Sequence, residues 1–273
     1  MRINGATELY GIMGNPVAHS LSPAMHNGAF AALGLNKAYL PFAVQDVGQA
    51  MTGLRALGIR GVSVTIPHKE AVIPYLDTID PVAKKIGAVN TLLISNGAIH
   101  GANTDWLGAN RALSEKISLK GASVLLLGAG GSAKAIGFGL LEAGASLTIA
   151  SRSPEKGRAL AGLLGCPWLP LAEAATARAD ALVNATSLGM APQQELLPIA
   201  REALANFGVV MDIVYAPLAT RLLQAAGQTG CRTIDGLAML LYQGAAQFEL
   251  WTGLQAPVEV MRQSLLTSLG CNP

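Results

Sequence analysis

A glycine-rich turn between an apolar run and a helical pattern constrains the fold of this 273-residue chain more than any other feature. The run at 123–127, SVLLL, is typical of a strand buried on both faces of a parallel sheet. The next residues, GAGGSA at 128–133, fit the pattern G-x-G-x-x-G/A and open a helix. This strand–turn–helix context predicts a Rossmann-type domain, because a helix N-terminus offers N–H groups and a positive dipole end to a pyrophosphate.

Each small residue of this turn has a physical task. Gly128 allows the tight turn, Gly130 lets the backbone approach a pyrophosphate, and Ala133 permits close packing of helix on strand. The alternative is a glycine-rich turn without a ligand, and the flanking strand and helix favour the nucleotide. The predicted phosphate-binding residues are Gly128, Ala129, Gly130, Gly131 and Ser132.

The end of the next strand indicates which dinucleotide binds. NAD sites usually carry an acidic residue about 20 positions downstream of the turn. This chain has Ser151, Arg152 and Ser153 there instead. Arg152 can stack on adenine and pair with a 2′-phosphate, helped by the two hydroxyls, and Lys156 or Arg158 can add charge. The alternative is that Arg152 is only a solvent-exposed residue at the start of a loop. Its position relative to the glycine turn favours NADP binding instead.

Composition excludes several other classes of function. A formal net charge of +2 without a basic run argues against nucleic-acid and membrane partners. The sequence has no uninterrupted run of about 18 apolar residues, so we expect no membrane span. Cys166, Cys231 and Cys271 are odd in number and far apart, and the histidines lack ligand spacing, so we expect neither a disulfide framework nor a metal site. We expect a cytoplasmic protein with a small-molecule substrate, and the sequence leaves monomer and homodimer open.

Alternating apolar runs and helical patterns predict an α/β fold. Ser22 is predicted as the N-cap of the first helix, with Pro23 at its first position. The turn residues at 95–97, SNG, predict a hairpin between strands at 88–94 and 99–103. The other predicted strands are at 9–13, 37–44, 62–65, 146–150, 181–184, 209–212 and 232–234, and the other predicted helices are at 47–57, 237–251 and about 257–269.

These elements predict two domains. Residues 1–105 form an N-terminal α/β substrate-binding and catalytic domain, and residues 106–237 form the Rossmann-type NADP-binding domain. Residues 238–273 carry helices that follow the last apparent strand of the second domain, and we expect them to pack back on the first.

Polar residues follow several of the predicted strands in the first half, and strand ends are where ligands gather in α/β sheets. Each has a simpler explanation when taken alone. Ser22 could cap a helix, Lys69 could be a surface lysine, Asn90 could serve a turn, and Asp105 could cap a helix that begins at Trp106.

Taken together, these segments resemble the shikimate dehydrogenase family, in order and over nearly the whole chain. The matching segments are GNP at 14–16, SLSP at 20–23, HN at 26–27, TIPHK at 65–69, GAVNT at 87–91, NTDWLG at 103–108, GAGGSAK at 128–134, NATSLGM at 184–190, DIVYAP at 212–217, and DG at 235–236 through Gln243 to WTG at 251–253. SRS at 151–153 departs from the Asn-Arg-Thr of many members, and His68 stands where members vary, so we give it no role and expect a helix-start histidine.

The resemblance implies reversible NADPH-dependent reduction of 3-dehydroshikimate to shikimate, a step towards chorismate and the aromatic amino acids. It implies that Lys69 is the general acid and base and that Asp105 pairs with it and binds the reacting hydroxyl. Ile213 and Gly236 would border the nicotinamide. The residues implied to bind the substrate are Ser20 and Ser22 at the carboxylate, and Thr65, Asn90, Tyr215 and Gln243 at the ring hydroxyls and the carboxylate end.

Two alternatives stay open at this stage. A quinate/shikimate dehydrogenase paralogue could use NAD, although the missing acidic residue at the second strand end argues against NAD. A non-catalytic NADP-binding regulator would have no need of a proton donor, so the presence of both Lys69 and Asp105 argues against that class.

Overall fold

Two six-stranded sheets, each flanked by helices, account for the alternation of apolar runs and helical patterns. The computed structural model describes residues 3–270, so Cys271 lies outside the described residues. The chain divides into two units. The first contains the residues up to Thr104 and those from Leu241 onward, and the second is Asp105–Leu240. The α/β class predicted from the sequence is confirmed.

The first unit is built on a mixed sheet. Its strands are β1 (Glu8–Gly14), β2 (Lys37–Ala43), β3 (Gly61–Val64), β4 (Thr78–Ile79), β5 (Thr91–Ser95) and β6 (Ala98–Ala102). The order across the sheet is β2-β1-β3-β5-β6-β4. Strands β2, β1 and β3 run parallel, whereas β5 is antiparallel to both β3 and β6.

The predicted hairpin is confirmed as β5 and β6. Ser95 pairs with Ala98, which leaves Asn96 and Gly97 as a two-residue turn. Both turn residues have positive φ, 51° and 76°, as a type I′ turn requires. Strand β5 starts at Thr91, so residues 88–90, predicted as strand, lie before it and are available to the site.

The helices α1 (Ser22–Ala32), α2 (Val47–Ala56), α3 (Pro81–Ile86) and α9 (Val258–Ser268) lie in the first unit. Helix α9 packs against α1, and a Cβ on Gly28 of α1 would overlap the Ser264 hydroxyl of α9. Helix α9, from the C-terminal part of the chain, therefore lies in the first unit.

The second unit is built on a wholly parallel sheet. Its strands are β7 (Ser123–Leu127), β8 (Ser146–Ser151), β9 (Trp168–Pro170), β10 (Ala179–Asn184), β11 (Phe207–Asp212) and β12 (Arg232–Ile234). The order β12-β11-β10-β7-β8-β9 reverses direction between β7 and β10. Ligands of doubly wound sheets bind at such a switch point, outside the carboxyl ends of the strands.

The helices of the second unit are α4 (Asp105–Ser114), α5 (Gly131–Glu142), α6 (Pro154–Leu164) and α7 (Arg221–Gln228). Helix α8 (Gly236–Thr252) contains the division between the units, which falls after Leu240. Within residues 3–270, no helix has the length and apolar character needed to cross a membrane.

Two local predictions were wrong. Ser22 is the first residue of α1 and not its N-cap; Leu21 holds that position, and its side chain makes no capping hydrogen bond. A helix with proline in its first turn needs one fewer partner there, because proline has no N–H group. His68 does not start a helix: it lies in a turn after β3, and its backbone N–H donates to the carbonyl of Thr65 at 2.9 Å.

Candidate functional site

The turn after β3 carries Lys69, the predicted proton donor, and is held in place on both sides. The N–H of Val89 donates to the carbonyl of Lys69 at 2.8 Å. The His68 ring is buried, and its Nε2 lies 2.8 Å from the carbonyl of Val44, just beyond β2. A carbonyl only accepts, so Nε2 carries the proton. The Lys69 side chain is half-buried at the end of this anchored turn.

Thr65 begins the same turn. Its N–H donates to the carbonyl of Met13 in β1 at 3.0 Å. Its side chain lies against Gly14 so closely that a Cβ on Gly14 would overlap the Thr65 methyl group. The glycine at the end of β1 therefore makes room for the threonine at the end of β3.

The two serines predicted to bind a carboxylate flank the start of α1. The N–H of Ser22 donates to the Ser20 hydroxyl at 3.3 Å, so the two residues are brought together. Ser22 is buried, and Ser20 is half-buried. Burial raises the pKa of Tyr39, and the nearby hydroxyls of Ser63 and Ser22 oppose that shift.

Asn90 and Gln243, predicted from segments 153 positions apart, meet in the interior of the first unit. The Asn90 Nδ2 donates to the Gln243 Oε1 at 3.3 Å and to the Thr104 hydroxyl at 3.0 Å. Its Oδ1 accepts from the Thr104 N–H at 2.8 Å and from the Thr91 hydroxyl at 2.7 Å. All four side chains are buried, so these bonds are protected from competing water.

Three further buried side chains extend this network, and the sequence reasoning missed them. Gln247 donates through Nε2 to the Thr91 hydroxyl and to the Asn90 carbonyl, both at 3.0 Å. Its Oε1 accepts from Ser63 at 2.8 Å, and Ser63 accepts from the Tyr39 hydroxyl at 2.6 Å. The available signal was the spacing of Gln243 and Gln247, which puts both on one face of an apolar helix.

Asp105, the predicted partner of the lysine, is the first residue of α4 and is buried. The two residues before it belong to the first unit and are fixed there. Asn103 donates through Nδ2 to the Ala88 carbonyl at 2.8 Å, and Thr104 donates its N–H to Asn90. The sequence also allowed Asp105 to be the N-cap of a helix that begins at Trp106. The helix begins at Asp105 itself, so this alternative is wrong.

In the second unit, the glycine turn has the form that a pyrophosphate needs. Gly128 has φ of 118°, and a Cβ there would lie 3.0 Å from the Ala185 carbonyl oxygen. Gly130 is the N-cap of α5, no side chain caps this helix, and a Cβ on Gly130 would meet nothing within 4 Å. Backbone that is open at a helix N-terminus fits a dinucleotide phosphate. Ala133 is buried against the sheet.

In the segment 151–153, Arg152 is exposed, and the hydroxyls of the serines on either side of it make hydrogen bonds within the protein. The Ser151 hydroxyl donates to the Ser153 carbonyl and accepts from the Trp168 Nε1, both at 2.9 Å. The Ser153 hydroxyl caps α6 by accepting from the N–H of Lys156 at 3.3 Å. The two hydroxyls thus shape the segment around Arg152. A cavity of about 610 Å³ opens beside Arg152 and has mainly apolar residues of 170–175 and 197–200 in its wall.

A buried polar hub organises the loops after β10 and β11. Asn184 accepts from the Thr186 hydroxyl at 2.7 Å and donates through Nδ2 to Asp212 at 2.9 Å. Asp212 also accepts from the Thr220 hydroxyl at 2.7 Å and from the Val214 N–H at 3.1 Å. Burial raises the pKa of Asp212 to about 6, although these hydrogen bonds oppose the shift.

The residues predicted beside the nicotinamide meet at the start of α8. A Cβ on Gly236 would overlap the Ile213 carbonyl, so only glycine permits this approach. The N–H of Ile213 donates to the Asn184 carbonyl at 3.1 Å, which ties this pair to the loop hub. Tyr215 is half-buried on the same segment, and burial raises its pKa. Within residues 3–270, no group of three or more acidic, histidine or cysteine side chains could hold a metal ion.

Comparison with known families gives two matches in this chain. Residues 12–92 match the family described as Shikimate dehydrogenase substrate binding domain. Residues 236–266 match Shikimate 5'-dehydrogenase C-terminal domain.

Full-length relatives have the same family name. Shikimate dehydrogenase (NADP(+)) of Moorella thermoacetica is 47% identical, with 100% of this chain and 97% of the relative covered. A crystal structure of a shikimate dehydrogenase in complex with NADP+ superposes with a TM-score of 0.93, at 40% identity and 98% coverage of both chains. Shikimate 5-dehydrogenase from Thermus thermophilus, in complex with NADP(H) and shikimate, gives a TM-score of 0.89 at 39% identity, covering 96% of this chain and 100% of that one.

Proposed function

This chain belongs to the shikimate dehydrogenase family, and we propose that it reduces 3-dehydroshikimate to shikimate through proton transfer by Lys69 and Asp105. The chain is an NADP-dependent oxidoreductase that acts on a CH–OH group. In the reduction, 3-dehydroshikimate, NADPH and one proton give shikimate and NADP+. The reaction is reversible and belongs to aromatic amino acid biosynthesis.

The chief support for the substrate is the meeting of two neutral amides, Asn90 and Gln243, inside the first unit. A polyhydroxylated ring needs several uncharged donors and acceptors, because an unmatched buried polar group costs about 1–3 kcal/mol. Thr65 adds a hydroxyl at the end of β3, and Ser20 and Ser22 add two more beside α1. Tyr215 is the substrate residue that we propose from the second unit.

The proposed chemistry needs one cation that is held in place. Hydride addition to a ketone builds negative charge on its oxygen, and a lysine ammonium both stabilises that charge and donates the proton. The carbonyl of Lys69 is fixed by Val89, and its neighbour His68 is fixed by Val44, so the lysine extends from a rigid turn. We propose that Asp105 accepts a hydrogen bond from the reacting hydroxyl and pairs with the ammonium of Lys69.

NADPH supplies the hydride when it is bound. We propose that the backbone of residues 128–132 holds its pyrophosphate and that Arg152, with Lys156 nearby, pairs with the 2′-phosphate. Ser151 and Ser153 would act on this phosphate mainly by shaping the segment that carries Arg152. Ile213 and Gly236 would form the wall beside the nicotinamide.

One spectrophotometric assay at the nicotinamide absorbance tests the activity and its alternatives. Shikimate and quinate are each offered with NADP+ and with NAD+. We expect turnover of shikimate with NADP+, since the end of β8 has no carboxylate to repel a 2′-phosphate. Efficient turnover of quinate with NAD+ would instead identify the paralogue, and NADP+ binding without any turnover would identify a regulator. The predicted cytoplasmic location and the choice between monomer and homodimer stay predictions.

A further inference from the structure

The side-chain amide of Asn90 has two nearly isosteric orientations, and only one of them presents its donor to Gln243. A flip would exchange Oδ1 and Nδ2 and set like groups against the Gln243 Oε1 and the Thr104 N–H. What selects the orientation is therefore part of how the proposed site works. The Thr104 N–H favours this orientation directly, and a chain of hydrogen bonds that begins on α8 favours it through the Thr91 hydroxyl.

The first step fixes Gln247. Its Nε2 lies 3.0 Å from the backbone carbonyl of Asn90, and a carbonyl only accepts. The opposite end, Oε1, accepts the hydroxyl proton of Ser63 at 2.8 Å. Ser63 can donate there because its own oxygen accepts from the Tyr39 hydroxyl at 2.6 Å. The Gln247 amide is thus held from both ends, and it is 1% exposed.

The second step fixes Thr91. A threonine hydroxyl can rotate and can act as donor or acceptor. The Gln247 Nε2 donates to this hydroxyl at 3.0 Å, so the proton of Thr91 must point elsewhere. It points to the Asn90 Oδ1 at 2.7 Å. The Asn90 Nδ2 is then directed to Gln243 and Thr104.

We propose that Gln247 and Thr91 are positioning residues that set the Asn90 amide, and through it Gln243, for a ring hydroxyl of the substrate. This rests on the proposed function, in which Asn90 and Gln243 bind the substrate. The relay carries no charge: His26, which stacks on Tyr39 with ring centroids 4.5 Å apart, is neutral because burial lowers its pKa to about 3. The relay therefore acts through orientation alone.

The test separates orientation from simple loss of packing. Thr91→Val keeps the shape of the side chain and removes the hydroxyl, whereas Thr91→Ser keeps the hydroxyl. Gln247→Met keeps the length of the side chain and removes both amide contacts. We expect Thr91→Val and Gln247→Met each to raise KM for shikimate roughly tenfold, the scale of one misdirected buried hydrogen bond. KM for NADP+ should stay unchanged, and Thr91→Ser should retain the wild-type KM for shikimate.

A matched control lies one turn further along α8. Trp251 donates through Nε1 to the carbonyl of Leu92 at 3.0 Å, a half-buried bond from the same helix to the same strand. Trp251→Phe removes this bond, keeps an aromatic ring beside Tyr39, and removes none of the hydrogen bonds of the relay. We expect a lower melting temperature for this variant and an unchanged KM for shikimate.

Two outcomes would overturn the assignment. In the first, Thr91→Val and Thr91→Ser give the same KM for shikimate. In the second, Gln247→Met raises KM no more than Trp251→Phe does. Both require that the wild-type protein turns over shikimate. Absence of wild-type turnover would overturn the proposed function itself, so the two failures are distinguishable.

Discussion

The carbonyl of Lys69 accepts a 2.8 Å hydrogen bond from the N–H of Val89, the residue directly before Asn90. This bond joins the turn that carries the proposed proton donor to the segment that carries the proposed substrate amide. The next residue, Asn90, makes a second bond between the same two segments. Its carbonyl accepts from the N–H of Val64 at 2.7 Å, and Val64 directly precedes the turn that carries Lys69. The turn that carries Lys69 and the segment that carries Asn90 thus form one rigid backbone frame.

Lys69→Ala should lower kcat far more than it raises KM for shikimate. The frame persists without the side chain, because it is built from backbone bonds, while the proton donor is lost. Loss of a general acid costs about 10²–10⁴ in rate. Steady-state kinetics with shikimate and NADP+ measure both constants. Lys84→Ala, which removes an exposed lysine of α3, is the control and should match the wild type. An unchanged kcat with a raised KM would assign Lys69 to binding only.

Arg152→Ala should weaken the binding of NADP+ much more than the binding of NAD+. The exposed guanidinium lies at the end of β8, where it can form a charge-assisted bond to a 2′-phosphate that NAD+ lacks. Such a bond contributes about 1.5–3 kcal/mol, which corresponds to a rise in KM for NADP+ of roughly ten- to a hundredfold. Arg178→Ala, at an exposed arginine just before β10, is the control at the opposite end of the sheet. A parallel rise for both cofactors would contradict the role in phosphate recognition.

Gly157→Ala should raise KM for NADP+, whereas Gly162→Ala should stabilise the protein, although both glycines lie in α6. A Cβ on Gly157 would overlap the Ser151 hydroxyl and the Trp168 Nε1, so the hydrogen bond between them must open. That bond shapes the segment around Arg152, and we expect a several-fold rise in KM for NADP+. A Cβ on Gly162 meets nothing within 4 Å, so alanine there should stabilise the helix by about 1 kcal/mol.

Kinetics with NADP+ and thermal unfolding of both variants measure these effects. The Gly162 variant should melt at a higher temperature than the wild type and keep its KM. Equal KM values for the two variants would show that the contact between α6 and Trp168 does not shape the cofactor segment.

The sequence predicted those parts of the fold that local chemistry decides. The turn at Asn96 and Gly97 follows from the positive φ that this pair tolerates, and the hairpin follows from the turn. Strand β7 and helix α5 follow from the apolar run and the glycine turn between them. The two-residue β4 was missed because so short a strand carries no periodic pattern. The three-residue β9 was missed because it ends in Pro170, and proline argues against a strand.

Side-chain partners that are distant in sequence could not be predicted. Ser63 and Gln247 are 184 positions apart, and only the packing of α8 beside β3 and β5 within the first unit brings them together. Ser151 fitted a phosphate ligand by position, but its hydroxyl is engaged by Trp168, 17 positions later in an unpredicted strand. The sequence thus identified which segments gather at strand ends, and tertiary packing decided what their hydroxyls and amides contact.

Asp212→Asn should change how stability depends on pH. Burial raises the pKa of the Asp212 carboxyl from 3.8 to about 6, so the folded state disfavours the charged form. The contribution of this group to stability is then full below about pH 4 and is lost as pH rises through about 6.

Asparagine has nearly the same shape, can keep the bonds to Asn184 and Thr220, and does not titrate. The wild type should therefore lose up to about 3 kcal/mol relative to the variant between about pH 4 and pH 8. Urea unfolding of both proteins across this range measures the difference. A difference in the free energy of unfolding that does not vary with pH would show that folding leaves the pKa of Asp212 unchanged. A difference that grows in favour of the wild type as pH rises would show that the folded protein stabilises the Asp212 carboxylate.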